Sequence, residues 1–471
     1  MGVAYNSRII TDGLVLALDA ANNKSILSTV EVLVVAGGGA GGNGTGSGYE
    51  SGGGGAGGLI YSSSHSITPG SAITATVGAG GASATSSTPA ANGGNSVFGA
   101  LTAIGGGGGA TAPAVGSSGG SGGGGSHNQT GGGSGTAGQG FSGATPAQGS
   151  SGGGGGGAGG PGKSTSSNAD GSGGIGLPFS ISGSLQYYAG GGGGSRHTDV
   201  SGGLGGGGAG VSLSAGYANG SPGGTNTGGG GGGANQPATN TGGGAGGSGI
   251  VIVRYPGSQR ATGGTVTSVG GYTIHTFTTS GTFTPTWGDM STNGNTGTLV
   301  NGVGYSASNG GSLSFDGVDD RIDCGTWSAS YLTVSTWVYK TSSATNQGIC
   351  RKETGWAVSQ YNGTLQVAPG TSWTFYNTGY TIPLNTWVNI VYTYSGTGAA
   401  GSQTVYVNGS SIYSTSAGSG PITANSNAVR IGYDDNNWFW GGRISNTSIY
   451  NRALTAAEVS QNYNALKSRY I

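Results

Sequence analysis

Residues 30–42 read VEVLVVAGGGAGG, and residues 242–256 read GGGAGGSGIVIVRYP. Each stretch joins a β-branched run to the same glycine hexapeptide, in opposite order. The apolar runs have the length and composition of buried strands. Between them GGGAGG recurs at Gly53–Gly58 and Gly155–Gly160, with a shorter copy at Gly206–Gly210. Two further segments, Ser71–Gly78 and Ser96–Ile104, also read as strands. Residues 31–250 hold 83 of the 114 glycines and six charged residues, whereas all eight tryptophans lie beyond residue 285. The chain therefore contains two different physical materials.

Glycine buries no side chain and loses the most backbone entropy on folding, so the first material cannot make an ordinary core. It is not collagen, because glycine does not recur every third residue. A flexible linker would not need β-branched runs between its glycines. The ordered alternative is the extended threefold polyproline-II conformation, in which N–H and C=O groups point outward and need partners on neighbouring runs. Copies at irregular spacing predict a bundle of glycine helices capped by loops of unequal length, not a regular solenoid.

VEVLVVAGGGAGG, SGGGGAGGLIYSSSHSITPGSAITATVGAGG, NGGNSVFGALTAIGGGGGA and GGGAGGSGIVIVRYP resemble the glycine-rich domain of phage tail-fibre and tail-tip adhesins. The following GGYTIHTFTTSGTFT is similar to the strand pair that accompanies that domain. The resemblance implies a rigid sandwich of glycine helices whose end loops contact a host receptor. Side chains available there are Tyr187, Tyr188, Arg196, His197, His127 and Asn128.

From Thr286 onward, short alternating strands separated by Gly, Asn and Ser turns predict an all-β sandwich or jelly roll. Asn408-Gly409 marks a hairpin. Thr455 and Glu458 form a capping box ahead of Val459, Tyr463 and Leu466, which predicts a short terminal helix. The order SLSFDGVDDRIDCG, TVSTWVYK, NTWVNIVYTY, VYVNG, IYNRALTAAEV resembles the laminin-G-like, concanavalin A-like lectin family. In that family a stretch like ITDGLVLALDAANNKS (Ile10–Ser25) leads directly into one like TWGDMSTNGNTGTLVNG, which here begins only at Thr286. The expected organisation is a first lectin strand within residues 1–28, an inserted glycine-rich domain over 29–284, and the rest of the lectin-like domain over 285–471. The fold class is all-β: a concanavalin A-like jelly-roll sandwich interrupted by packed polyglycine helices and short strands.

Fifteen basic against fifteen acidic residues give no net charge, which argues against a nucleic-acid or anionic-lipid partner. No apolar window is long enough to span a bilayer, and the N-terminus lacks the layout of a secretory signal. Gly157–Ser164 matches G-x-x-x-x-G-K-S by letter, but glycines stand where the preceding strand should be and no helix pattern follows, so no nucleotide site is expected. The four histidines are scattered, and no closely spaced acid pair suits glycoside hydrolysis. An enzyme is not expected, and no cofactor beyond a possible Ca²⁺. Cys324 and Cys350 are read as small buried thiols, with a disulfide as the alternative.

Two acidic clusters, Asp316/Asp319/Asp320 and Asp434/Asp435, could supply oxygen ligands to Ca²⁺. The alternative for each is a turn in which aspartate bonds nearby backbone. Trp356, Trp373, Tyr376 and Trp438, with Tyr361, flank strand ends and could stack on sugar faces. Trp337, Trp387 and Trp440 lie within strands and are expected in the core. On resemblance, the expected protein is a phage virion component, placed in phages of marine cyanobacteria. It would be a non-catalytic tail-fibre or tail-tip adhesin for a host surface glycan or outer-membrane receptor. A capsid fibre and a bacterial surface adhesin are the alternatives. Expected partners include other virion proteins and copies of itself, as a trimer, although no heptads support that number.

Overall fold

In the computed structural model the described residues are 8–20, 22, 25–44, 50–85, 90–127, 131–146, 151–164, 171–195, 200–212, 218–235, 242–291, 293–370 and 374–471. The protein is all-β apart from one helix and short 3-10 turns among these residues. No helix among them is long and apolar enough to cross a membrane.

The glycine runs are ordered by one another. Along residues 52–58 the backbone N–H groups rotate among three neighbours with a period of three. Gly52, Gly55 and Gly58 donate to Ala110, Gly107 and Ile104, Gly53 and Ala56 to Gly153 and Gly156, and Gly54 and Gly57 to Gly231 and Gly228. The carbonyls face other runs: Gly52, Gly55 and Gly58 accept from Gly42, Gly39 and Ala36, Gly53 and Ala56 from Gly124 and Ser121, and Gly54 from Gly192. That threefold rotation is the signature of a polyproline-II helix whose outward groups are satisfied laterally by neighbouring runs. Run 52–58 is thus enclosed by runs 36–42, 104–110, 121–124, 153–156, 190–194 and 228–231. Glycine is required by this closeness: a Cβ on Gly54 would sit on the carbonyl oxygen of Gly39. Ala56 is tolerated because its methyl group packs with Leu33, Val35 and Leu59.

At one end the runs feed two five-stranded antiparallel sheets. In the first, strand Thr29–Val35 lies between Leu59–Ser66 and Ile250–Pro256, with Val34 opposite Val251. Its unbroken apolar run is explained by burial on both faces. Val30, Val32 and Val34 enter a core with Phe98, Tyr255, Phe277 and Phe283 between the two sheets, while Leu33 and Val35 pack on the other side with Ile250, Ile252 and Tyr188.

Apart from two two-stranded hairpins, the remaining strands form an eight-stranded and a seven-stranded antiparallel sheet enclosing one hydrophobic core. Strand Leu14–Leu18 belongs to the first of these. It pairs with the last half of Gly441–Tyr450, whose first half pairs with Ser312–Asp316. Asp289 Oδ1 accepts from the Ala17 amide at 2.9 Å, and Ser25 Oγ donates to the Gly288 carbonyl, tying Ala17 and Ser25 to the segment that follows the glycine bundle. Trp337 and Trp387 lie on the far face of this sheet, under the terminal helix Ala456–Leu466. The Trp337 ring stacks on Tyr470 at 4.1 Å and on Tyr463 at 5.7 Å. The helix opens with a complete Thr455–Glu458 capping box. Asn408 and Gly409 both have positive φ, as a tight hairpin turn needs. Cys324 and Cys350 are buried free thiols.

Candidate functional site

The seven-stranded sheet shows how alternation builds a surface. Ile322, Ile431, Cys350, Val358 and Val367 point into the core. Their strand neighbours Asp323, Arg430, Arg351, Ser359 and Gln366 therefore point to the opposite face. The hairpin Tyr433–Asp434 and Trp438–Phe439 folds back over that face.

Arg351 is its electrostatic centre. Its guanidinium pairs with both Asp434 and Asp435, and Ser359 Oγ donates to Asp434. Asp323 bridges Arg321 at 3.3 Å and Arg430 at 3.2 Å, and Arg430 lies over the Tyr433 ring. Burial pushes the Asp435 carboxyl up despite the opposing pull of Arg351. Asp434 and Asp435 thus share a cationic partner in Arg351. Asp434 is fully buried and its charge is taken by Arg351, a residue 83 positions earlier that local spacing could not reveal.

Beside this network, the hairpin presents an aromatic pair at the surface. Trp438 stacks on Tyr361 with centroids 5.3 Å apart and planes 28° from parallel. Tyr361 is 39% exposed and Trp438 is half-buried, so ring surface faces solvent. Asn362 and Asn437, both at positive φ, form the turn tips next to the pair, and the Asn362 amide donates to Asn346 Oδ1 at 2.8 Å. An open aromatic face edged by amides offers stacking and hydrogen bonding together.

The other aromatic expectations resolve differently. Trp356 is 2% exposed and forms part of the central core, so it has no face to offer a ligand. The reason is parity: Trp356 points the same way as Val358, whereas Tyr361, five residues on at the end of the same strand, points to the other face. Tyr376 is half-buried against the same core. In the glycine-rich part, Tyr188 is buried at 5% exposure beside Ile252, which removes it from the surface set, while its neighbour Tyr187 is exposed. His127 is half-buried, and its amide donates to the Glu50 carbonyl. Asn128, Arg196, His197 and Trp373 lie outside the described residues.

Asp316, Asp319 and Asp320 do come together, with one carboxylate oxygen from each lying within 4.8 Å of the others. Sequence reasoning missed two buried lysines. Lys352 Nζ donates to the carbonyls of Thr326 and Asn427, and Lys340 Nζ to Gln360 Oε1 at 2.8 Å. Burial lowers the pKa of both.

The chain joins a glycine bundle to a two-sheet, concanavalin A-like sandwich. The chain belongs to the glycine-rich domain family, whose profile matches residues 21–256, half of its length. Residues 316–460 match the concanavalin A-like lectin/glucanases superfamily. No curated protein sequence matches the chain. Among solved structures, it is similar to domain 4 of AbnA, an extracellular arabinanase from Geobacillus stearothermophilus in complex with arabinotriose. That match has 20% identity and a TM-score of 0.32, over 37% of this chain and 92% of that one. It is also similar to the ligand-binding domain of botulinum neurotoxin serotype D in complex with N-acetylneuraminic acid, with 16% identity and a TM-score of 0.32. There it covers 38% of this chain and 47% of the other, so it spans about half of that toxin domain.

Proposed function

We propose that the protein is a non-catalytic, glycan-binding adhesin of a phage virion, carried on a tail fibre or tail tip. The observation that carries the binding reading is the solvent-facing Trp438–Tyr361 pair, edged by Asn346, Asn362 and Asn437 on a rigid sandwich. Flat aromatic surface with amide hydrogen bonding at its rim suits the apolar face and hydroxyl rim of a pyranose. The virion reading is supported by the resemblance of the glycine runs to tail adhesins and by a bundle whose runs are cross-linked through backbone hydrogen bonds on several sides. A spacer held by many mutual backbone bonds suits a particle surface. Residues 29–284 are an insertion after the first sandwich strand, supported by the pairing of Thr29–Val35 with Ile250–Pro256, which brings the ends of the insert together. Neighbouring virion proteins and further copies of the chain, as a trimer, are its structural partners in this reading. Immunogold labelling of intact particles tests it. Label at the tail tip is expected; label over the capsid would replace the tail assignment with a capsid fibre, and absence from particles would refute the virion reading.

A further inference from the structure

His275 lies in strand Tyr272–Phe277, fully buried and edge-on to the Phe283 ring at 5.0 Å. Both of its ring nitrogens are engaged. Nδ1 stands 2.7 Å from the Gly263 carbonyl, and Nε2 stands 2.9 Å from the Tyr255 hydroxyl. The Arg260 amide donates to that same hydroxyl at 3.0 Å. These partners fix the protons. A carbonyl only accepts, so Nδ1 carries the hydrogen; an amide only donates, so the Tyr255 oxygen accepts from Arg260 and turns its own hydrogen to Nε2. The chain of bonds closes with a neutral imidazole.

Arg260 carries this chain to the place where the glycine-rich part meets the sandwich. Its carbonyl accepts from the Thr286 amide at 2.8 Å, where the backbone returns to the sandwich. Its guanidinium donates to the Ile26 carbonyl at 3.4 Å, where the backbone leaves the sandwich, and to the Pro256 carbonyl. A cavity of about 530 Å³, bounded by Pro256–Ser258, Arg260 and Asp289–Ser291, lies against this junction and gives it room to shift.

A proton on Nε2 would point a second hydrogen at the Tyr255 oxygen and take away the acceptor of the tyrosine hydrogen. Nothing nearby offsets the new charge. Among the described residues, the titratable or charged groups facing His275 are Tyr255 from strand Ile250–Pro256 and Arg260 from the turn after it, whose guanidinium lies 5.1 Å over the Tyr255 ring. Strands Thr265–Val269 and Gly281–Pro285 bring none. Glu31 and Arg254 stand in line with Ile274 and so lie on the opposite face, and His65 is beyond Phe98. The nearest charge is therefore another cation. Burial holds the His275 imidazole below its ordinary 6.5.

We propose that His275, Tyr255 and Arg260 form a proton-sensitive latch on the junction between the glycine-rich part and the sandwich, closed at neutral pH and released in mild acid. A depressed folded-state value gives the sign: the latch is at full strength above pH 6.5 and weakens below it, as the opened form takes up the proton.

The latch is independent of glycan binding and is tested without a ligand. Amide hydrogen exchange of the full chain is compared at about pH 7.5 and about pH 5, corrected for intrinsic rates, for the wild type, His275→Gln and His65→Gln. Glutamine supplies one donor and one acceptor without titrating. Protection at 256–263, 272–277 and 286–288 should fall about tenfold in the wild type and in His65→Gln, and stay constant in His275→Gln. Nitrogen NMR of the wild-type imidazole gives a second readout that needs no variant: His275 should be neutral, with its hydrogen on Nδ1, at about pH 6. Constant protection in the wild type, an equal loss in folded His275→Gln, or an imidazolium at about pH 6 would overturn the proposal.

Discussion

Glu31 and Arg254 form a 2.6 Å ion pair across adjacent strands that bracket the whole glycine bundle in sequence. The pair is bidentate, and Tyr61 donates to the same carboxylate. Arg254 also reaches the Ser180 carbonyl and lies over Tyr272. Replacing Arg254 by Ala should lower the stability of the glycine-rich part by about 1–2 kcal/mol, since both charges are mostly buried and the fork geometry is lost. Urea unfolding followed by tyrosine fluorescence reads this directly. An unchanged midpoint would show that backbone pairing alone closes the insert.

The central glycine run makes a steric prediction. Gly54→Ala places a methyl group on the Gly39 carbonyl oxygen, with only backbone available to move. It should cost more than the usual overpacking penalty of about 1–3 kcal/mol, and it should separate neighbouring runs that share hydrogen bonds. Ala56→Gly, two residues away, removes one methyl from a core and should cost only about 1 kcal/mol. Proteolysis and thermal melting of the two variants check the ordering.

The helix cap carries a pH signature. Hydrogen bonding from Arg452, together with the Thr455 cap, lowers the Glu458 carboxyl from 4.5 to about 2. A depressed folded-state value means that the stabilisation is fully present above pH 4.5 and is lost as the pH falls toward 2. The pair is partly exposed, so the loss should be about 1–2 kcal/mol. Glu458→Gln should lower stability at pH 7 and flatten the acid limb over that window, measured by melting temperature against pH.

Aromatic packing beneath the same helix predicts a larger effect. Tyr470 stacks on Trp337, contacts Trp387 and donates to Ser445 Oγ at 2.8 Å. Tyr470→Ala should cost about 3–5 kcal/mol, as large-to-small changes at buried aromatics do. A smaller change at this surface-distal position would mean that the helix is dispensable to the sandwich.

Much of this architecture was written in local pattern. The apolar runs at 30–35 and 250–255, the Asn408-Gly409 turn and the Thr455–Glu458 cap each depend on residues a few positions apart. The site was less legible, because its decisive contacts are long-range. Trp356 and Trp438 look alike in sequence, yet parity against Val358 sends one inward while a hairpin carries the other to the surface. Asp434 reads as an exposed acid until the fold brings Arg351 beside it. Arg321 and Asp323 in RIDCG, Arg351 after Cys350 in GICRK and Arg430 between Val429 and Ile431 in AVRIG did carry a signal for the polar sheet face, since each stands next to an inward apolar residue.

The central claim is that the Trp438–Tyr361 surface binds carbohydrate. The most direct measurement is a glycan array probed with the full chain and with Trp438→Ala, followed by titration of the strongest ligand. Trp438 is half-buried above a polar network and makes no core contact, so the variant should fold and melt within a few degrees of the wild type. The account predicts a defined set of glycans bound by the wild type and at least tenfold weaker binding by Trp438→Ala. Undiminished binding by the folded variant, or no glycan bound by the wild type, would contradict it.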